Sequence, residues 1–273
     1  MRNQNSLTTI CAALCYSMGV EPPKEADKPN ADLVNYIERK LHGKKVDRVF
    51  MYNPDAIAQW VYKKYPQLFE QVTEKAELEV PLCSVVPPKT PVCFGTMYTG
   101  AQPAVHGITA YEKPVITIDT IFDALIRAGK KPALIAYGQA SLGKIYLERD
   151  MDYFYVPESG SVDEVNAIAA EVILRDEHDF IVLYNGNYDG RMHKYGPESI
   201  EALSEIRANA RTFGMIDAMI KKHWKHHDTL VGFAMDHGCH MKQDGNGGTH
   251  GQDIDEDMNI VHLYQVYEQE EIK

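Results

Sequence analysis

The sequence is short of several things that mark whole classes of protein. It has no run of 18 consecutive apolar residues, so no membrane-spanning helix is expected. Its five cysteines (Cys11, Cys15, Cys83, Cys93 and Cys239) are odd in number, irregularly spaced and form no C-x-x-C pair. That argues against a disulfide framework and against a thiolate zinc finger. Positive charge is in deficit: 28 lysines and arginines face 39 acidic residues, for a net charge of −11. A broad basic footprint for a nucleic-acid polymer is therefore not expected. A phosphorylated small molecule stays compatible, because bound cations invert the local field. The opening residues lack a signal-peptide pattern, which sets a cytoplasmic location as the expectation. Repeats, low-complexity linkers and clear domain boundaries are also missing, and 273 residues are enough for one large core, so a single domain over 1–273 is expected.

What is present alternates between two patterns. Apolar runs at 48–53, 132–138, 179–187 and 229–236 read as buried strands, and 259–267 as a final strand. Residues 144–157 alternate like one or two further strands. Helical periodicity covers 55–72 with Pro66 as a break, 118–129, 161–175 with Ser161 and Glu164 as a capping box, and 197–224. Residues 90–100 read as a short helix with Thr90 at N-cap, Pro91 at N1 and Gly100 near the stop. Strands alternating with helices predict an α/β fold, a mostly parallel central sheet with helices on both faces. Ligands of such sheets gather beyond the carboxyl ends of the strands.

Three of the predicted strands end at or just before an aspartate: Asp55, Asp189 and Asp236. His193 follows four residues after Asp189, His237 directly follows Asp236, and His250 lies in the nearby "GGTHG". In one sheet with one strand direction, these six groups converge on one rim. Three carboxylates there repel and cannot all stay ionised unaided, whereas divalent cations resolve the conflict. Mixed Asp/His ligation suits zinc, with manganese or iron as alternatives. Thr90 opens a helix, where the positive end favours an anion. Its hydroxyl becomes a nucleophile if metal coordination favours the alkoxide, and two metals could clamp an in-line displacement at phosphorus. Singly, each residue has an ordinary explanation: a cap for Thr90, a turn for Asp236–His237, a solvated loop for "DGRMH", a flexible hairpin around His250. Their coincidence at three strand ends favours a site.

The same residues resemble the alkaline phosphatase superfamily, most closely its nucleotide pyrophosphatase/phosphodiesterase branch. "PPKTPVCFGTMYTGAQPAVHGI" (87–108) is similar to that branch's nucleophile segment. "DGRMHKYGP" (189–197), "MDHG" (235–238) and "GTHG" (248–251) are similar to its metal motifs. The resemblance implies an alkaline-phosphatase-like fold. It implies one metal on Asp189, His193 and His250 and a second on Asp55, Asp236 and His237. Thr90 would bridge both and form a covalent phosphothreonine. It further implies a small phosphate ester as substrate, a nucleotide among the candidates, while the lack of a long apolar run leaves no membrane partner expected. Three departures stand out. After the first strand the chain has "NPDAI" where the family has Asp-Gly. Cys93, a weak donor, stands at a substrate-facing position where the branch often has asparagine. And 144–157 is too short for the cap domain of the mutase branches, while no sulfatase signature is present.

Two further functions fit the same residues: a phosphomonoesterase or other phosphotransferase, and a non-catalytic metal or phosphoester binder. "KKHWKHH" (221–227) reads as the basic end of a helix rather than a metal site. His106 reads as fixing the turn after the nucleophile helix. His240 is either a support behind the ligands or a surface residue, and Cys239 a packing residue.

Overall fold

The computed structural model describes residues 1–157 and 161–270. Its strands are β1 (Asn5–Ser6), β2 (Arg48–Pro54), β3 (Leu78–Cys83), β4 (Pro132–Tyr137), β5 (Asp152–Val156), β6 (Phe180–Asn185), β7 (Thr229–Ala234), β8 (His240–Met241), β9 (Gly248–Thr249) and β10 (Asn259–Tyr267). Its helices are α1 (Thr9–Ser17), α2 (Ala31–Leu41), α3 (Gln59–Lys64), α4 (Glu70–Thr73), α5 (Thr90–Thr99), α6 (Pro103–His106), α7 (Ile121–Arg127), α8 (Ser141–Ile145), α9 (Val162–Arg175), α10 (Asn187–Tyr195), α11 (Ile200–His223) and α12 (Asp255–Met258). Among the described residues no helix is long and apolar enough to cross a membrane.

Eight strands form one sheet in the order β1-β3-β10-β7-β2-β6-β4-β5. All neighbours run parallel except β10, which is antiparallel to both β3 and β7. The strands at the centre, β6 and β7, are buried along their whole length, and β2 after its first residue. Continuous aliphatic and aromatic runs do this because both faces of the sheet are covered by helices, leaving no solvent side to demand alternation. Tyr52 of β2 stacks on Phe233 of β7 with ring centroids 5.5 Å apart. Asn53, fully buried, accepts the Tyr98 hydroxyl at 2.6 Å and donates to the Ala234 carbonyl at 2.8 Å. One side chain thus ties α5 to the ends of β2 and β7, where the site lies.

Several elements differ from the sequence expectation. The helix expected over 55–72 starts only at Gln59 and breaks at Tyr65–Pro66 into a 3-10 turn and α4. Proline removes a donor and restricts the residue before it. Residues 144–157 contain one strand, β5, and the end of α8. The strand expected over 179–187 ends at Asn185, and the residues after it form the helix α10. The long helix is capped by Ser199, whose side chain accepts from the Ala202 N–H, two residues after Pro197. In α5 the N-cap is Lys89, so Thr90 is the first helical residue, and Gly100 closes the helix with φ +73°.

Candidate active site

β7, β2 and β6 are adjacent and parallel, so their carboxyl ends share one rim. β3 points the same way, through the antiparallel β10 between it and β7. Beyond β2 comes Asp55, beyond β7 Asp236 and His237, beyond β6 the helix α10 with Asp189 and His193, and beyond β3 the helix α5 with Thr90. His250 follows β9. The fold brings these expected residues together in two groups whose ligand atoms lie within 4.8 Å of one another: Asp55, Asp236 and His237, all buried, and Asp189, His193 and His250, partly open.

Asp189 and His193 fall four apart on α10, so both side chains leave one face of the helix. Their placement depends on the hairpin β8–β9. A Cβ on Gly247 would run into the His193 carbonyl, and one on Gly248 into Met192. Glycine at both positions lets the hairpin backbone press against α10, where the Gly248 carbonyl accepts the His193 Nδ1–H at 3.2 Å.

All three histidines are oriented in the same manner. His193 Nδ1 faces the Gly248 carbonyl, His237 Nδ1 the Gly238 carbonyl at 2.9 Å and His250 Nδ1 the Pro88 carbonyl at 3.1 Å. A carbonyl only accepts, so each Nδ1 carries the proton and each Nε2 keeps its lone pair. Metal-ligating imidazoles are commonly fixed in this way. The Nε2 atoms of His193 and His250 lie 3.1 Å apart. His193 Nε2 is also 3.2 Å and His250 Nε2 3.4 Å from Asp189 Oδ1.

In the buried group, Thr90 Oγ1 is 3.4 Å from each Asp55 oxygen and 3.3 Å from His237 Nε2. As the first residue of α5 its hydroxyl makes no capping bond and is turned to this group instead. Asp236 Oδ1 accepts the Ala56 N–H at 3.1 Å, whereas Asp236 Oδ2 and Asp189 Oδ1 are buried without a hydrogen bond. Buried oxygens without a donor are costly unless something else satisfies them. Burial raises the Asp55 carboxyl well above its usual value, and the neighbouring Asp236 and Asp189 add to the effect. Burial pushes Asp236 up to about 8. For Asp189, burial alone would raise the carboxyl, but His193 and His250, in their protonated forms, outweigh it by hydrogen bonding and charge and hold it below the usual range. Burial lowers His237 and His250, keeping both neutral as ligands must be. Asp189 in turn raises His193, so in the open triad a proton competes for the place a cation would take. Two acceptor-rich triads with orphaned carboxylate oxygens, their imidazole Nε2 atoms turned to the same points, fit divalent cations.

Two further side chains, Tyr184 and Ser84, were not anticipated from sequence. The Tyr184 hydroxyl donates to Asp55 Oδ2. Its only sequence signal is a tyrosine near the carboxyl end of an otherwise apolar run. Ser84 Oγ donates to the Asp236 carbonyl at 2.7 Å. Cys93, expected to face substrate, is fully buried with its thiol 3.1 Å from Ser84 Oγ, so it packs behind the site. His106 is buried, with Nε2 3.0 Å from Thr96 Oγ1 and Nδ1 accepting the Ile108 N–H at 3.3 Å. It ties α5 to the turn that follows.

The profile of the type I phosphodiesterase / nucleotide pyrophosphatase family matches residues 52–267, a span that holds both triads and Thr90. The chain belongs to that family. No curated protein matches it in sequence. Among solved structures it is similar to murine ectonucleotide pyrophosphatase/phosphodiesterase 5, with a TM-score of 0.58 and 21% identity over 72% of this chain and 59% of that one. Human ectonucleotide pyrophosphatase/phosphodiesterase 5 gives a TM-score of 0.64 with 16% identity, covering 81% of this chain and 87% of that one. An inactive threonine-to-alanine variant of the murine protein in complex with AMP gives 0.58 with 20% identity, over 72% and 59%. This chain thus spans about three fifths of the murine protein's length. These likenesses establish a shared fold, a helix-flanked and mostly parallel sheet.

Proposed function

We propose that this family member is a metal-dependent phosphodiesterase, with Thr90 as nucleophile and the whole chain as one catalytic domain. The observation that carries the reading is the position of Thr90 Oγ1, 3.3–3.4 Å from Asp55 and His237, with its hydroxyl not used for capping.

Asp189, His193 and His250 would hold one cation and Asp55, Asp236 and His237 the other, with zinc the best match to this oxygen and nitrogen set and manganese or iron the alternatives. Two bound cations would supply the positive charge that favours the Thr90 alkoxide and offsets charge on the phosphoryl oxygens. Thr90 loses its proton to solvent and attacks phosphorus. The Oγ–P bond forms as the P–O bond to the leaving group breaks in line, and the departing oxygen takes up a proton. Water then attacks the phosphothreonine, forming a new O–P bond as the Oγ–P bond breaks and the hydroxyl returns. The N-terminal end of α5 directs its positive dipole at the phosphoryl group. Tyr184 steadies Asp55, and Ser84 steadies the turn carrying Asp236. The AMP held by the murine relative supports a nucleotide ester as the substrate class.

The test is a rate comparison on aryl phosphate mono- and diesters and on a nucleoside 5′-aryl phosphate, with zinc or manganese added, for the native chain and Thr90→Ala. Diester turnover is expected, falling by orders of magnitude in Thr90→Ala while metal content persists. An unchanged rate removes Thr90 from the chemistry. Faster monoester hydrolysis moves the reading to a phosphomonoesterase. Ligand binding without turnover moves it to a binding protein.

A further inference from the structure

The ligands His237 and His250 sit on one long excursion between β7 and β10, and they serve different triads. Something must fix the distance between them, because most of that excursion is turn and two-residue strand. One side chain reaches both of its limbs. Asp257, at the end of the excursion on α12, is completely buried yet belongs to neither triad. Its Oδ1 accepts from His240 Nδ1 at 2.7 Å, and its Oδ2 accepts the Gln252 N–H at 2.9 Å. Its main-chain carbonyl accepts the Gly238 N–H at 2.7 Å. Gly238 directly follows His237, and Gln252 lies just beyond His250. The approach at Gly238 is so close that a Cβ there would meet the Glu256 carbonyl.

We propose that Asp257 is a positioning residue. Clasped to His240 and Gln252, it sets the place of His250 and so the geometry of the open triad. The inference rests on the two-cation reading above. A buried carboxylate is costly unless its acceptors are used, and here both side-chain oxygens are used on the ligand-bearing excursion. His240 offers Nδ1 to Asp257 and is not a ligand. Its part is to pull the first limb of the hairpin β8–β9 onto α12, and it pairs with Thr249, the residue before His250. The three bonds act on the two triads unequally. Gly238 is held by the main chain of residue 257, which survives truncation of the side chain, and His237 keeps its support. The Gln252 N–H and the His240 ring are bound by the carboxylate itself, so its loss falls on the limb that carries His250. Partners behind a ligand typically govern metal affinity by about ten- to a hundredfold.

The experiment is zinc titration by calorimetry, with the cobalt absorption spectrum as a second signal, on the metal-free native chain, Asp257→Ala, His240→Ala and Asp257→Asn. Each is also made in a His193→Ala background, in which only the buried triad is complete. The native chain is expected to take two ions. Asp257→Ala weakens one of them about ten- to a hundredfold and alters its cobalt bands. His240→Ala gives a smaller loss, and Asp257→Asn, which keeps one acceptor, recovers part of it. In the His193→Ala background the remaining ion is unaffected by the Asp257 change, as a cycle of this kind reports only the coupled triad. Equal weakening in that background makes Asp257 a general structural residue and overturns the proposal, as does unchanged affinity in both Asp257→Ala and His240→Ala. A native chain that binds no cation overturns the two-cation reading and this inference together. A native chain with two ions beside unaffected variants overturns this inference alone. Should Asp257→Ala fail to fold, the part-exposed His240→Ala decides on the same criteria.

Discussion

The Nε2 atoms of His193 and His250 face each other across 3.1 Å, and each ring has already given its Nδ1–H to a main-chain carbonyl, Gly248 for one and Pro88 for the other. Two lone pairs held that close repel, and a cation placed between them converts repulsion into two bonds. Binding only the folded state, a cation at a hundred times its dissociation constant adds about 2.7 kcal/mol per site. For a chain of this size that corresponds to a rise of about 5–10 °C in melting temperature. Calorimetric melts with zinc and with a chelator check it, and superimposable melts would refute the site.

Tyr184→Phe should uncouple Asp55 from its hydroxyl donor without disturbing the core. The ring is buried and packs edge-on against Phe94, a contact that phenylalanine keeps. Loss of a supporting bond to a ligand is expected to lower turnover or metal affinity about tenfold or more. The buried acceptor left behind costs about 1–3 kcal/mol. Steady-state kinetics and urea unfolding measure the two effects, and native values in both would remove Tyr184 from the site.

Ala56 is one of the few non-glycine residues with a left-handed backbone, φ +62°, and its N–H is the donor to Asp236 Oδ1. It stands where the family resemblance puts a glycine after the first strand. An L-residue in that region carries about 1–2 kcal/mol of strain. Ala56→Gly is therefore expected to be neutral or to stabilise by up to about 1 kcal/mol, while keeping the hydrogen bond and the activity. A clear drop in the urea midpoint would show that the alanine methyl packs usefully instead.

Acid should destabilise the fold before any carboxylate titrates in the ordinary range. His262 is fully buried, its Nε2 2.7 Å from the Met235 carbonyl and its Nδ1 2.9 Å from the Tyr264 hydroxyl. Burial lowers it to about 4. The unfolded chain, with histidine near 6.5, therefore takes up the proton first. The stability tied to neutral His262 is fully present above about pH 6.5 and is lost as pH falls toward 4, in total about 3 kcal/mol. His106, also lowered to about 4 by burial, acts in the same direction. Urea unfolding at pH 7 and pH 4.5 should show a smaller pH difference in His262→Gln than in the native chain, and an equal difference would refute the assignment.

The strands and the convergence of the candidate residues were legible in the sequence for physical reasons that did not extend to every element. β2, β6 and β7 announce themselves because strands covered on both faces need uninterrupted apolar runs. Asp55, Asp236 and His237 were legible as punctuation at the ends of those runs. α10 was not, because "NGNYDGRMHKY" has the glycine and asparagine content of a loop. Its helix is held by packing against α11 and the glycine hairpin, which local propensity cannot register. Thr90 was placed one position early, since threonine before proline looks like a cap. α1 was not read at all: eight of its nine residues are buried, so it lacks the polar face that periodicity detects. Asp257 and Tyr184 were invisible because their partners are fixed by the tertiary fold alone.

β10 enters the sheet between β3 and β7 against the direction of its neighbours, so its beginning, not its end, lies at the rim with the triads. The hairpin with His250, α12 with Asp257 and this strand are all made after Asp55 and Thr90. Contacts such as Ala56 to Asp236 span 180 residues. Contacts so distant in sequence close slowly. A nascent chain therefore carries Asp55 and Thr90 long before the residues that complete either triad. On the two-cation reading, the open triad closes only once the hairpin with His250 has docked on α10, so cation uptake there belongs to a late step of folding.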